Sequence, residues 1–174
     1  EIVGAWTDVT AEKETEAQVR RLSAVVEQSP TSVVITDLEG RIEYVNEAFT
    51  RTTGYGFEDV RGRNPRILQS GRTPRETYEA MWATLVAGHI WRGEFMNLRK
   101  DGTLQVEDAI VVPLRGAGGL VTHYVAIKED VTEKKRVADE LRKLYLAVEQ
   151  SPESIAISDL DARIEYVNEA FVRH

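Results

Sequence analysis

Apolar residues follow two rhythms along this chain, and the places where one gives way to the other mark out its elements. From Ala11 to about Gln28 the sequence is charged and lacks Gly and Pro, and Val19, Leu22 and Val26 recur at spacings of three and four. That is the period of a helix with a narrow apolar seam. The seam returns as Val137, Leu141, Leu144 and Val148 in a second charged stretch. So narrow a stripe suits a partner helix better than a broad core. A parallel two-stranded coiled coil is the expected arrangement, and a helix lying on its own domain is the alternative.

Between the two helices the period shortens. Ser32 to Thr36 and Arg41 to Val45 flank the turn formers Asp37-Leu38-Glu39-Gly40, which predicts a hairpin. Asn46 is placed to cap a short helix running through Thr53, with Gly54 to end it. Thr73-Pro74-Arg75-Glu76 reads as a capping box with Pro at the first helical position, and Tyr78, Met81, Trp82 and Leu85 mark one face of a helix ending at Gly88. Trp91 to Arg99 and Thr103 to Leu114 read as strands joined through Lys100-Asp101-Gly102. Leu120 to Glu129 reads as a last strand, after which Thr132 is expected to cap the outgoing helix.

The pattern also repeats as a whole. Val26 to Arg51 returns as Val148 to Arg173, identical at 19 of 26 positions, with a constant offset of 148 − 26 = 122 residues. Asp8-Val9-Thr10 falls on Asp130-Val131-Thr132 at the same offset. The organisation expected of such a tandem array is the end of a preceding module at 1–10 and a linker helix at 11–28. A complete domain at 29–132, a second linker helix at 133–150 and the start of a following module at 151–174 come next. Neither terminal fragment can bury a core alone. Residues 1 to 8 and Ile155 to Ser158 are candidates for pairing with each other across chains.

Composition narrows the function. A formal net charge of −7 disfavours nucleic acid or an anionic membrane as partner, because neutralising phosphates needs clustered Lys and Arg. With no Cys there is no disulfide framework and no thiolate nucleophile. No apolar run approaches the roughly 18 residues of a membrane span, and a cytoplasmic setting is expected. Asp37, Glu107, Asp108 and Asp130 are scattered without catalytic spacing, and Glu107 and Asp108 face opposite sides of a strand, so no catalysis is expected within this chain. Glu133-Lys134-Lys135-Arg136 reads as a solvated helix start.

Several short motifs, taken in order, resemble the PAS domain. They are Glu27-Gln28-Ser29-Pro30, Thr36-Asp37, Tyr44-Val45-Asn46-Glu47-Ala48-Phe49, Thr53-Gly54-Tyr55, Arg99-Lys100-Asp101-Gly102-Thr103 and Asp130-Val131-Thr132. The resemblance implies an α+β fold with a five-stranded antiparallel sheet and short helices on one face, flanked by amphipathic signalling helices. It also implies a sensor or relay module of a multidomain signalling protein, in series with further PAS modules and with an effector such as a histidine kinase, a diguanylate cyclase or a phosphodiesterase. Homodimerisation through the linker helices is the expected partnership. At the Asp130 to Thr132 junction, the resemblance implies transmission of signal into the outgoing helix, with Asp130 fixing the turn through an Arg or backbone partner. Plain capping is the other reading of the same residues.

Gly62-Arg63-Asn64-Pro65-Arg66-Ile67-Leu68-Gln69 is similar to the signature of light-oxygen-voltage domains, the flavin-binding branch of that family. The residue that forms the photoadduct there is Cys; here it is Pro65, which has no nucleophile. Arg66, Gln69 and Asn97 match positions that contact flavin in that branch, whereas Glu107 and Lys128 stand where it carries amide side chains. A buried charge is costly unless paired, so Glu107 and Lys128 are expected to pair across the pocket and to take up space a flavin would need. Against this, Trp91 to Phe95 followed by Asn97 resembles the strand of PAS redox sensors that hold flavin adenine dinucleotide, with core packing as the plainer reading of Trp91 and Phe95. The pocket is therefore expected to hold no cofactor, with FAD or FMN as the runner-up and an unidentified small-molecule ligand also open. A ligand-free dimerisation spacer is the structural alternative. His89 lies roughly where haem-binding members carry a proximal His, but haem is not expected, and His123 reads as solvated ahead of the last strand.

Overall fold

The structure, a computed structural model, describes residues 10–173. It forms two compact units that divide between Val131 and Thr132. Residues 1 to 8, and with them the expected pairing to Ile155–Ser158, lie outside the described residues.

The first unit opens with helix α1 (Thr10–Glu27). A hairpin of β1 (Ser32–Thr36) and β2 (Ile42–Val45) follows. The short helices α2 (Glu47–Thr53) and α3 (Phe57–Val60) and a single 3-10 turn at Pro65–Leu68 lead to helix α4 (Arg75–Val86). Three long strands close the unit: β3 (Trp91–Leu98), β4 (Leu104–Arg115) and β5 (Val121–Asp130). All five strands form one antiparallel sheet in the order β2-β1-β5-β4-β3. The last strand thus lies at the centre, between the first and the fourth.

Alternation along the strands sends every second side chain toward the helices. Val34, Thr36, Phe95, Asn97, Gln105, Glu107, Ala109 and Val111 are buried by it, while Asp108 stays exposed. Two apolar clusters result. One joins Val34, Ile42 and Val45 of the hairpin to Phe49, Val60 and Leu68, and the other joins Leu85 of α4 to Trp91, Phe95, Ala109 and Val111.

The start of α4 departs from the expected capping box. The helix begins at Arg75 with Pro74 ahead of it and no side-chain cap. Thr73 turns its hydroxyl to the outermost strand instead, accepting from the Met96 N–H at 2.8 Å, and the Ser70 hydroxyl donates to the Met96 carbonyl. A free strand edge has unpaired N–H and C=O groups, and β3 offers stronger partners than the first turn of α4 does. Gln69 adds a backbone bridge to Asn97, so residues 69–73 cover that edge. His123 falls within β5 rather than ahead of it, its ring 3.1 Å from the Glu43 carboxylate.

The second unit contains helix α5 (Thr132–Glu149), a hairpin of β6 (Ala156–Ser158) and β7 (Ile164–Val167), and helix α6 (Glu169–Arg173). The β6–β7 pairing copies β1–β2 residue for residue at the 122-residue offset, including the register shift, which falls between Ile35 and Thr36 in one copy and Ile157 and Ser158 in the other. Burial differs: Ile42 is 1% exposed and its counterpart Ile164 63%.

Candidate functional site

A cavity of about 730 Å³ lies between the two apolar clusters and is lined by members of both, with Tyr78, Met81 and Trp82 of α4 on one side and Tyr124, Ala126 and Lys128 of β5 on the other. Arg66, Gln69 and Asn97 are on its wall. Arg66 and Gln69 are themselves exposed, Arg66 in the 3-10 turn and Gln69 just after it, where Asn64 caps the turn by accepting from the Arg66 N–H at 3.1 Å.

The floor of the site is polar. Glu107, 1% exposed, accepts from the Lys128 ammonium at 3.0 Å, from Asn97 Nδ2 at 2.6 Å and from Gln105 Nε2 at 3.4 Å. Strand register explains the convergence: Asn97 faces Gln105, Phe95 faces Glu107, and Lys128 lies one step diagonally away, opposite Ala109. Lys128 also sits 5.6 Å from the centroid of the Phe95 ring. The expected Glu107–Lys128 pair is present, but it does not fill the pocket. Only Lys128 reaches the cavity wall; Glu107 lies behind it, held by two amides, so the space beside the pair remains open.

Trp91 is not on that wall. It is buried and stacked on Phe95 at 5.0 Å between centroids, and its ring lies so close to Gly93 that a Cβ there would be 2.4 Å from it. The aromatic pair is core, and of the two only Phe95, stacked in turn on Tyr78, is on the cavity wall. His89 is exposed beyond the end of α4 and does not line the cavity. Among the described residues no three His, Asp or Glu side chains gather closely enough to hold a metal ion.

Asp130 ends β5, and Thr132, two residues on, is the first residue of α5. The Arg99 guanidinium donates to Asp130 Oδ2 at 2.7 Å, to the Thr52 carbonyl at the end of α2 at 2.9 Å, and to the Thr103 hydroxyl at 3.2 Å. One side chain therefore ties the end of β5 to α2 and to the β3–β4 turn. Such charge-assisted hydrogen bonds are stronger than neutral ones, and both partners here are about a quarter exposed.

A second set of bonds, not foreseen beyond the capping role of Asn46, joins α1 to the sheet. Asn46 Nδ2 donates to the carbonyls of Val26 and Thr31, both at 3.0 Å, while its Oδ1 accepts from the N–H groups of Val33 and Phe49 at 2.9 and 3.1 Å. All four positions a side-chain amide offers are used. The Tyr44 hydroxyl donates to Glu27 beside it. Asn168 and Tyr166 repeat these contacts with Val148, Glu153, Ile155, Phe171 and Glu149. The repeat of Tyr-Val-Asn after an invariant spacing from Val-Glu was the signal that could have revealed them.

The model of a family described as PAS fold matches residues 20–131, and one described as PAS domain matches 142–174. A nitrogen fixation regulatory protein of Klebsiella oxytoca is 33% identical over 151 residues, covering 84% of this chain and 30% of that protein. The chain thus spans less than a third of that relative's length. Among solved structures, that of an RNA-binding light-oxygen-voltage receptor is 27% identical with a TM-score of 0.67, covering 76% of this chain and 38% of that one. A PAS domain from Colwellia psychrerythraea is 26% identical with a TM-score of 0.60, covering 67% of this chain and 98% of that one. With its five-stranded antiparallel sheet, short helices on one face and both models matched in series, the chain belongs to the PAS family.

Proposed function

We propose that this chain is a sensory and relay segment of a cytoplasmic multidomain signalling protein, in which the state of the cavity is passed along β5 into α5 and on to an effector elsewhere in that protein. One observation carries this reading. Tyr124, Ala126 and Lys128 line the cavity from alternate positions of β5, and the same alternation continues to Asp130, the residue held by Arg99 two positions before the start of α5. A change in how Lys128 sits acts on the strand that launches the helix. The segment works as a parallel homodimer: Val19 and Leu22 on α1 and Leu141 and Leu144 on α5 are each about 60% exposed along one seam. The name of the Klebsiella relative, a regulatory protein, fits this role.

The test is amide hydrogen exchange on the wild type and on Asp130→Asn. The variant keeps the shape of the side chain and removes its charge, so exchange in the second turn of α5, where the amides first have intrahelical acceptors, rises several-fold while the cavity-lining amides of β4 and α4 keep their protection. Unchanged exchange in α5 would refute the relay.

A second reading, a flavin-holding redox sensor, is favoured by the size of the cavity and by the presence of Arg66, Gln69 and Asn97 on its wall. Arg66 could meet a ribityl phosphate and Lys128 a ring carbonyl, with redox chemistry supplied by the flavin. Pro65 offers no adduct. The absorption spectrum of the purified protein decides: the two-banded flavin spectrum in the near ultraviolet and blue establishes this reading, and a featureless one removes it.

A further inference from the structure

The end of α1 is bonded to the sheet more fully than a connecting helix requires. Asn46 follows β2; its backbone N–H donates to the Val33 carbonyl at 3.2 Å, and its side-chain oxygen takes the Val33 N–H at 2.9 Å. On its other side the same amide donates to the Val26 carbonyl in the last turn of α1. One side chain, 1% exposed, is therefore both the next rung beside β1 and the anchor of the incoming helix. Val33 stands opposite Ile127 of β5, because β1 lies between β2 and β5. Two residues, Asn46 and Val33, thus connect α1 to β5, and neither lines the cavity. The second copy closes the same connection by itself. Asn168 is 0% exposed and donates to the Val148 carbonyl of α5, although its hairpin belongs to a two-stranded sheet and Ile157, Ile164 and Phe171 are 51%, 63% and 42% exposed.

We infer that Asn46 makes the end of α1 a second input to β5, so that the incoming helix acts on the same strand as the cavity by a route that bypasses the cavity. The inference rests on reading β5 as the relay strand and adds an upstream input that needs no occupied pocket. The joint transmits because it cannot yield cheaply. Moving the last turn of α1 away from Asn46 would leave a buried amide donor without its acceptor, which costs more than the bond itself contributes. A displacement of that turn is therefore passed on to Val33 instead of being absorbed at the joint. The Tyr44 hydroxyl holds Glu27, one residue further along the helix, so α1 is attached at two points and rotation is transmitted as well as translation. At β5 the two inputs meet: Lys128 brings the state of the cavity on one face, and Ile127 beside it brings the state of α1 through the backbone of β1.

The experiment is amide hydrogen exchange on the full chain carrying Ala24→Gly, at an exposed position near the end of α1. Glycine there weakens the helix about fivefold. Exchange in β1 and β5 is expected to rise with it, by about two- to fivefold, while α4 and β3 keep their protection. Unchanged exchange in β1 and β5 overturns the inference. So does an equal rise in α4 and β3, which would mean that α1 only adds to overall stability. Asn46→Asp keeps an oxygen for Val33 and Phe49 and replaces the donor that serves Val26. In that background the effect of Ala24→Gly is expected to stay within α1, and an effect that still reaches β5 overturns the route through Asn46. Where that variant does not fold, Tyr44→Phe, which removes only the bond to Glu27, takes its place: a diminished effect in β5 supports the joint and an undiminished one overturns it. The relay itself is read separately, in α5 with Asp130→Asn, so its failure leaves the input to β5 standing.

Discussion

At the scale of single residues, the two copies of the hairpin differ at one informative position. Gly40 turns the first hairpin with φ at 76°, in the left-handed region that glycine enters freely, and Ala162 makes the same turn in the second copy at φ 61°. An L-residue there carries a strain of about 1–2 kcal/mol. At Gly40 a side chain would in addition meet Asn64 Nδ2 at 2.7 Å, whereas Ala162 is exposed. Replacing Ala162 with Gly is therefore expected to stabilise the β6–β7 hairpin by about 1 kcal/mol once the added freedom of the unfolded glycine is subtracted. Its amides should exchange roughly fivefold more slowly. Faster exchange would show that the turn is set by something other than its backbone angle.

At the scale of elements, legibility followed the local signals. Asn46 as a cap and Gly54 as a stop were readable because both act through bonds to neighbours in sequence. The role of Thr73 was not, because its partner, Met96, is 23 residues away, and the strand edge that draws it exists only once the sheet has formed. The Glu107–Lys128 pair could be anticipated from the cost of burying either charge alone, but which of them faces the cavity depends on strand register, which a pattern of alternation does not supply. Trp91 and Asn97 share a face as alternation demands, yet packing sends one into the core and the other to the cavity wall.

The joint between α1 and β2 also has a pH signature. Burial and the Glu27 carboxylate beside it push the Tyr44 phenol up from 10.0 to about 12. The protonated phenol is the form that donates, so its contribution to stability is complete below about pH 10 and is lost as pH rises through about 12. The stability difference between the wild type and Tyr44→Phe should accordingly be constant below that window and close across it, as followed by urea unfolding. The phenolate absorbance of the variant should lack one late-titrating group. A gap that persists above the window would mean the hydroxyl acts in another way.

At the scale of the whole molecule, the same 26-residue stretch reaches the same local structure twice. It does so once with a full sheet over it and once with its apolar residues, Ile164 and Phe171 among them, largely exposed. The hairpin, its register shift and the Asn-centred joint are thus encoded locally, and the rest of the module adds burial rather than shape. No helix among the described residues is long and apolar enough to cross a membrane. The seams of α1 and α5 were plain in the sequence because a period of three and four needs no tertiary context to be read. Their packing partners do need it. Replacing Leu141 and Leu144 with Asp is expected to convert a dimer to a monomer by light scattering, and a dimer that survives would place the contact on another surface.

Both connecting helices are 18 residues long. At 100° per residue, 18 residues make five whole turns, so each helix hands on the angular phase it receives. A twist delivered at one end emerges pointing the same way at the other, about 27 Å further along. Lengthening α5 by a single residue would leave the cavity and the Arg99 clamp intact and still turn everything beyond it by about 100° around the axis, the later part of the seam included. In such an array helix length itself is part of the message.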